Sequence, residues 1–171
     1  MYATGSTSYT LSMSGLTATT LSTTTGSGGG FYFDNTGTTS ITIQSTSSVN
    51  PTTAYNHGGL IYADCATTTL ALTNTAVTSP RALNGRGGLV WVRSTGTTTM
   101  TLTSLTVTSA SAAISGGVIY LTGSNAIINP STSFEASTST ASGGDGGVFH
   151  FANTGTTDIT LTNPRFTTVQ A

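Results

Sequence analysis

Three charged residues recur at nearly equal spacing, and they are the candidates for chemistry in this chain. Asp34, Asp64 and Arg93 are separated by 30 and 29 residues, and each follows a short apolar run. Two carboxylates held side by side could divide the roles of general acid and general base in glycosidic bond cleavage. However, the chain contains no Lys, no His lies near them in sequence, and no second acidic cluster accompanies them. We therefore interpret these residues as a charged row at strand ends, and we predict that the protein is not an enzyme.

The other reactive side chains are dispersed along the sequence. Cys65 is the single cysteine, so no internal disulfide is expected. His57 and His150 are isolated from the acidic residues and from Cys65. This spacing indicates neither a nucleophile with its base nor a set of metal ligands. We predict no catalytic residue, no bound metal and no cofactor.

These residues are carried by a repeat. A Gly-Gly pair recurs at 29-30, 58-59, 87-88, 116-117 and 146-147, with spacings of 29, 29, 29 and 30 residues. Self-similarity at a fixed period of this size is typical of repeat architectures. Within each repeat, an apolar run follows the glycines, and a TGTT-type turn, an alternating segment, a shorter apolar segment and a polar loop come next. We predict an all-β parallel β-helix (β-solenoid) with three short strands per coil, about six coils of ~29 residues, and one domain spanning 1-171.

The alternating segments predict the core. Period-two alternation places one set of side chains inside and the other outside. We expect a continuous core that includes Leu70, Leu72, Met100, Leu102, Val77 and Val107. The third strand supplies a further column of Val49, Val77, Val107, Phe134 and Phe166. The repeat that begins at Gly116 departs from the pattern around Pro130, so we expect a distorted second strand there.

The first strand of each repeat is apolar on both faces, and one face is aromatic. We predict an outward aromatic ladder that serves in binding or lateral packing, because Trp, Tyr and His carry polar tips. Its members are Phe33, Tyr62, Trp91, Tyr120 and His150, with Tyr2 extending it. The alternative is that this set fills the core and that the opposite set forms the outer stripe.

Composition limits the partners and the location. The chain has 41 Thr and 22 Ser but four Arg, five acidic residues and a formal net charge of −1. Without a basic patch, nucleic acid is a poor partner, and no apolar run reaches the ~20 residues of a membrane helix. No Asn lies in an N-x-[ST] sequence that could accept an N-linked sugar, since x is Pro where the pattern occurs, as in Asn129-Pro130. We expect an extracellular or cell-surface protein with O-linked sugar on exposed hydroxyls. Our candidates are Thr42, Thr101, Thr103 and Thr160.

Ice binding is a further interpretation of the threonine columns, since TxT occurs at 99-103 and 160-162. Interruptions at Gln44, Ala71, Ile128, Pro130 and Asp158 disfavour it.

Segments such as GGLIYA, GGVIYL and the NTGTT pieces at 35-45 and 153-163 carry a family resemblance. The repeats resemble those of polymorphic outer-membrane proteins and autotransporter passengers, within the pectin-lyase-like right-handed β-helices. The resemblance implies a right-handed coil of three strands and carries over no catalytic residue. Enzymes of that wider class place acids and bases on a strand surface, which keeps a polysaccharide lyase or hydrolase as a third possibility.

The ends of the chain predict self-association. The segment MYATGS at 1-6 aligns with IYLTGS at 119-124, and neither end carries a polar capping coil. Uncapped ends expose strand edges that recruit another chain. The chain is therefore expected to be a segment of a longer solenoid or a subunit that stacks head to tail. The contact would join Tyr2, Ala3 and Thr4 to Phe149 and Phe151 of the preceding copy.

Our leading hypothesis is a structural subunit of an extracellular or cell-surface filament. The alternative is an adhesin or carbohydrate-binding passenger domain that uses the aromatic ladder to hold glycans.

Overall fold

The fold is a parallel β-solenoid of about five turns. The computed structural model describes the backbone of residues 1–171 and the side chains of 1–45, 49–129 and 133–171. No helix occurs in this described backbone, which confirms the predicted fold class. The seventeen strands are β1 Tyr2–Gly5, β2 Tyr9–Ser14, β3 Thr17–Ala18, β4 Leu21–Ser22, β5 Phe31–Asn35, β6 Thr38–Val49, β7 Thr52–Ala54, β8 Ile61–Cys65, β9 Thr67–Thr78, β10 Pro80–Ala82, β11 Val90–Thr108, β12 Ser111–Ala112, β13 Ile119–Thr132, β14 Glu135–Ala141, β15 Phe149–Asn153, β16 Thr157–Thr162 and β17 Arg165–Gln170.

Every strand pairs in parallel with its copy one coil away. The first strand of the repeat occurs six times, and the copies lie side by side in the order β1, β5, β8, β11, β13 and β15. These six copies enclose about five full turns, and we number the coils one to six, with residues 1–27, 28–57, 58–86, 87–115, 116–145 and 146–171. Because neighbouring strands are about 4.8 Å apart, each coil advances the solenoid by that distance.

The corners between straight segments are made by single residues with left-handed backbone. The corner before the first strand of coils two to six uses glycine with φ between +62° and +75°, namely Gly28, Gly58, Gly87, Gly116 and Gly146. Two further corners use polar residues with φ between +48° and +57°: Ser45, Asn74, Ser104, Ser133 and Asn163 at one, and Ser79, Ser109, Thr138 and Thr168 at the other. Since the pairing continues through these corners, two or three predicted short strands merge into long ones such as β9 and β11.

The core occupies the interior of the coils and is apolar. The six predicted residues Leu70, Leu72, Met100, Leu102, Val77 and Val107 are all buried in one cluster, which confirms that part of the prediction. The third-strand column needs one correction. It runs through Val49, Val77, Val107, Ala136 and Phe166, so Ala136 replaces the predicted Phe134. Phe134 is also buried but follows the corner residue Ser133 directly, two residues before Ala136.

Coil five is irregular, as predicted. The pairing of β13 with β16 shifts register between Ile128 and Ser131. Ile128 is buried in the core, whereas the adjacent Ile127 is exposed. The side chain of Pro130 lies outside the described residues.

Candidate binding surfaces

Aromatic rings form a row on the outer face of the first strands. Register pairing places Tyr2, Tyr32, Tyr62, Trp91, Tyr120 and His150 above one another. The first four rings form one continuous stack, which we call the four-ring stack, with centroids 4.5–4.7 Å apart. The rings of Tyr120 and His150 form a second stack at 4.9 Å, the two-ring stack. These separations follow the spacing of adjacent strands, which sets the distance between equivalent side chains.

The row differs from the predicted ladder in one member. Phe33 pairs with Ala63 and is fully buried in the core, whereas Tyr32 pairs with Tyr62. The error arose because coil two begins with three glycines. Gly28 carries the left-handed backbone, so the structural pair is 28-29 and not 29-30. Gly30 occupies the position that Leu60 fills in the next coil, since its N–H donates to the Leu60 carbonyl at 3.1 Å. The other members, Tyr62, Trp91, Tyr120 and His150, lie in the row with Tyr2.

The middle of the row is covered by side chains from the corner loops. The imidazole of His57 stacks on Trp91 with centroids 5.3 Å apart, and the Arg86 guanidinium lies 5.3 Å from the centroid of Tyr120. His57 Nδ1 accepts a hydrogen bond from the Arg86 backbone N–H at 3.0 Å. Burial, and secondly the charge of Arg86, lower the pKa of His57. Trp91 is only 7% exposed, and its buried Nε1–H has no hydrogen-bond partner among the described residues.

Stacking determines what the rings can contact. Neighbouring rings in the four-ring stack cover each other's faces at interplanar angles of 9°, 5° and 3°. Their edges are therefore the parts left to a ligand on the outer surface. The free ring faces lie at the ends of the row. At one end is Tyr2, which is 73% exposed, and at the other is His150.

A polar groove runs beside the aromatic row. It has a volume of about 460 Å³ and is lined by Thr4, Gly5, Asp34, Asn35, Thr36, Asp64, Cys65, Ala66, Arg93 and Thr95. The predicted charged row lies here, because Asp34, Asp64 and Arg93 are register partners in successive coils. The Arg93 guanidinium binds both carboxylate oxygens of Asp64. This hydrogen bonding raises the pKa of Arg93.

Asp34 takes a different partner. The Tyr32 hydroxyl donates a hydrogen bond to its Oδ2 at 3.2 Å. Burial, and secondly the Asp34 charge, raise the pKa of Tyr32 to about 12. The pKa of Tyr62 is also raised, chiefly by burial. The groove thus offers one carboxylate, one ion pair and several hydroxyls as hydrogen-bonding groups for a polar ligand.

A second polar row, inside the coils, was not predicted from the sequence. Asn35 Nδ2 donates to Thr39 Oγ1 at 2.7 Å, and the buried Cys65 thiol donates to the same oxygen at 3.1 Å. In coil four, Thr98 Oγ1 donates to Ser94 Oγ at 3.0 Å. Burial raises the pKa of Cys65. The sequence signal is a polar residue ending the first strand with Thr three or four positions later.

The candidate threonines lie on outer faces. Thr42, Thr101 and Thr103 are half-exposed, and Thr160 is exposed. Thr101 Oγ1 also accepts a hydrogen bond from Asn129 Nδ2 at 3.2 Å.

The two end coils leave one strand edge each without a partner in the chain. β1 pairs only with β5, and β15 pairs only with β13. Tyr2 and Thr4 are exposed on β1 and Ala3 is buried, while Phe149 and Phe151 on β15 are half-buried. Of the eight exposed large apolar side chains in the described part of the chain, five lie in the end coils: Met1, Tyr2, Ile159, Phe166 and Val169.

Comparison with known proteins adds no family. No protein-family model, curated protein or solved structure matches this chain. Among the described side chains, no group of three or more His, Cys, Asp or Glu residues could hold a metal ion. The residues that the structure describes include no helix with the length and apolar character of a membrane span.

Proposed function

We propose that this chain is a structural subunit of an extracellular or cell-surface filament in which copies stack head to tail. The observation that carries the proposal is the pair of end coils, which leave parallel strand edges and core columns without a covering layer. An unpaired edge of this kind is a template for another strand. A partner that continues the solenoid would pair with the open strand edge and would also cover the exposed apolar side chains.

The apolar columns support this assembly because they run to both ends. Ile159 is 41% exposed, although its column is buried through Ile41, Leu70, Met100 and Ile128. Phe166, at 44% exposure, ends the valine column in the same way. At the other end, Leu11, Met13 and Leu16 are only partly buried against the core. A second copy would remove both sets of side chains from water, and burial of apolar surface is the main driving force of association.

The hydrogen-bonding groups of the last first strand are oriented for the same partner. In a parallel ladder, alternate residues direct their N–H groups to opposite neighbours. The Ile119 N–H donates toward coil six, to the Val148 carbonyl at 2.9 Å. By this alternation, the N–H groups of Phe149 and Phe151 point away from coil five, toward the open side. The Phe151 N–H would then donate to the Tyr2 carbonyl of a neighbouring copy.

The surface supports an extracellular location and modification by sugar. Only nine residues are formally charged, and Ser and Thr are the commonest residues at the exposed strand positions among the described side chains. A nearly neutral protein with so few charges associates readily unless its surface is made more soluble. O-linked sugar on Thr42, Thr101, Thr103 or Thr160 would supply that solubility. The resemblance of the repeats to autotransporter passengers favours the same location.

Assembly is tested by measuring self-association of residues 1–171 by sedimentation velocity and by imaging the product with electron microscopy. We expect fibres whose length grows with protein concentration. Phe151→Pro should shorten or abolish them, because proline lacks the N–H that would cross the junction. Phe151→Val is the matched control, since it also loses the ring but keeps the N–H. Monomers of the unmodified chain at every concentration would contradict the proposal.

Modification is tested separately by the intact mass of native protein. A mass above that of the bare polypeptide, with sugar mapped to exposed Thr or Ser, is the expected result. A mass equal to that of the polypeptide would remove this part of the proposal and leave the assembly intact.

The polar groove favours a second candidate, a carbohydrate-binding or adhesin domain. Carboxylate, guanidinium and hydroxyl groups in one groove match the hydrogen-bonding pattern of a sugar. Because the ring faces are covered, this ligand would contact Tyr32, Asp34 and the Asp64–Arg93 pair and not stack along the row. Asp34→Asn together with Tyr32→Phe should then abolish binding to a glycan array that the unmodified monomer binds. An array with no binding to the unmodified chain would exclude this candidate. A polysaccharide-cleaving enzyme is our third candidate function. It is disfavoured because the Asp64 carboxylate, which would serve as acid or base, is bound by the Arg93 guanidinium.

A further inference from the structure

We infer that the head-to-tail junction forms in one register, with His150, Phe151, Ala152 and Asn153 of one copy opposite Tyr2, Ala3, Thr4 and Gly5 of the next. The occupant of both open ends is thus a second copy of this chain. This inference rests on the proposed function and adds the residues that specify the contact.

The aromatic row is the first argument for this register. His150 lies at one end of the two-ring stack, and Tyr2 lies at one end of the four-ring stack. Each has a ring face that no other ring covers among the described residues. In this register the Tyr2 ring lies one strand spacing from the His150 ring and continues the same row. A shift of two residues would place His150 opposite Thr4, and a shift of one would turn His150 toward the core.

The column that ends the first strand gives a second, independent argument. Gly123 has φ +131°, and a Cβ on it would collide with the Ser94 backbone of the preceding coil. Gly5 has nearly the same conformation, φ +129°, but β1 has no strand partner on that side within the described residues. The absence of a Cβ leaves this side of Gly5 free for a neighbouring backbone to approach, as the Ser94 backbone approaches Gly123. In the inferred register that backbone is Asn153 of the preceding copy.

Neighbours in this column agree with the pairing. Asn153 faces Gly123 within its own chain, and its Nδ2 donates to Thr157 Oγ1 at 3.1 Å. Asn35 faces Gly5 and donates to Thr39 in the same way. The junction would therefore extend an alternation of glycine and asparagine, in the order Gly123, Asn153, Gly5 and Asn35.

Side-chain volumes at the two ends are complementary in the same register. The large Phe151 falls opposite Ala3, and the large Phe166 continues the column that reaches Ala18 in coil one. Ile159 falls opposite Leu11, because both lie in the column of Ile41. The two Phe–Ala pairs place a large residue opposite a small one, which allows two layers to interdigitate without voids.

Cysteine cross-linking tests the register directly. In a Cys65→Ser background, Ser12→Cys with Thr160→Cys places two exposed thiols directly opposite each other across the junction. Their Cα atoms would be about 4.8 Å apart, within the range of a disulfide. Within one chain these positions are five coils, or about 24 Å, apart, so every disulfide between them is intermolecular. Mild oxidation should give a ladder of covalent multimers.

The matched control is Thr10→Cys with Thr160→Cys, which reports a shift of two residues. In the inferred register these Cα atoms are about 8 Å apart, too far for a disulfide. If the control pair alone forms multimers, or if both pairs form them equally, the inferred register is wrong. Head-to-tail stacking would still hold in either case. Absence of multimers with either pair, together with monomers in sedimentation, would overturn the filament proposal as well.

A second measurement tests the aromatic contact. Tyr2→Ala should weaken self-association by about 2- to 12-fold, the range expected for one aromatic pair. Tyr2→Phe should retain it, and Tyr55→Ala, an exposed tyrosine in a corner loop, should have no effect. In a double-mutant cycle, Tyr2→Ala should have no further effect when His150→Ala is already present. Additive effects of the two substitutions would contradict a direct contact.

Discussion

The middle and the ends of this solenoid are built from the same repeat but differ in what covers them. Ile41 and Ile159 occupy one column, yet the first is fully buried and the second is 41% exposed. Each middle coil is packed between two neighbours, whereas coils one and six each have one. In repeat proteins, stability is approximately a sum of intrinsic terms and nearest-neighbour contacts. The same residue type should therefore contribute differently according to its coil.

The largest expected difference is in the core column. Ile41→Ala should lower the free energy of unfolding by about 2–5 kcal/mol, because it leaves a cavity between two covering coils. Ile159→Ala should cost the isolated monomer clearly less, since water already reaches that side chain. Chemical denaturation at low protein concentration measures both. Equal losses for the two variants would show that coil six is covered in solution.

A second comparison uses two glycines with the same backbone. Gly87 and Gly15 have φ +67° and +70°, but a Cβ at Gly87 would collide with the Val90 carbonyl, while a Cβ at Gly15 meets nothing within 4 Å. Gly87→Ala should cost about 2–5 kcal/mol, from the left-handed conformation and the clash together. Gly15→Ala should cost about 1–2 kcal/mol, from the conformation alone. Thermal unfolding of the two variants tests this difference, and a Gly15 loss as large as that of Gly87 would contradict it.

Alkaline pH should weaken the four-ring stack. The folded-state pKa of Tyr32 is raised to about 12, above the ordinary value near 10, so the folded protein holds this proton more tightly than the unfolded chain. The resulting stability is fully present below pH 10 and is lost as the pH rises from about 10 toward 12. Tyr62 contributes in the same direction. Stability measured from pH 9 to 12 should fall less steeply in the double variant Tyr32→Phe, Tyr62→Phe.

The smallest effect is expected in the inner polar row. Cys65→Ser should change the free energy of unfolding by less than about 1 kcal/mol, because Ser94 occupies the same position one coil later and bonds Thr98 there. Cys65→Leu is the contrasting variant, since a branched side chain would displace the Thr39 hydroxyl and should cost more. A Ser variant as unstable as the Leu variant would mean that the thiol has a specific role in packing.

The period, the parallel coils and most of the core could be predicted from the sequence. Alternating apolar positions at Leu70, Leu72, Met100 and Leu102 permit a single inside-outside assignment, and the repeat fixes their neighbours. The register of coil two could not be predicted, because each of the three consecutive glycines at 28–30 can adopt the left-handed backbone. The sequence does not show that Gly28 is the one that does. The flanking aromatic residues at 31–33 fit either face, so the hydrophobic pattern gave no second criterion.

The polar corners and the inner polar row were missed for a different reason. Ser104 and Asn74 form left-handed corners, but Ser and Asn are tolerated at many exposed positions as well. In a chain with 63 Ser and Thr residues, one such residue at a corner does not stand out. Thr39 and Thr68 are buried, although threonine usually suits an exposed strand position equally well. Local sequence distinguishes such sites only when composition varies along the chain.

The left-handed glycine that opens coils two to six has a consequence for how this protein can vary. Gly87 and Gly116 begin equivalent coils, so duplication or loss of residues 87–115 in a gene would return the chain to the same corner and the same columns. Each such event would change the length of the molecule by about 4.8 Å and leave both end surfaces unaltered. A partial duplication would instead move every later side chain out of its column. The length of the molecule can therefore change during evolution in steps of one whole coil.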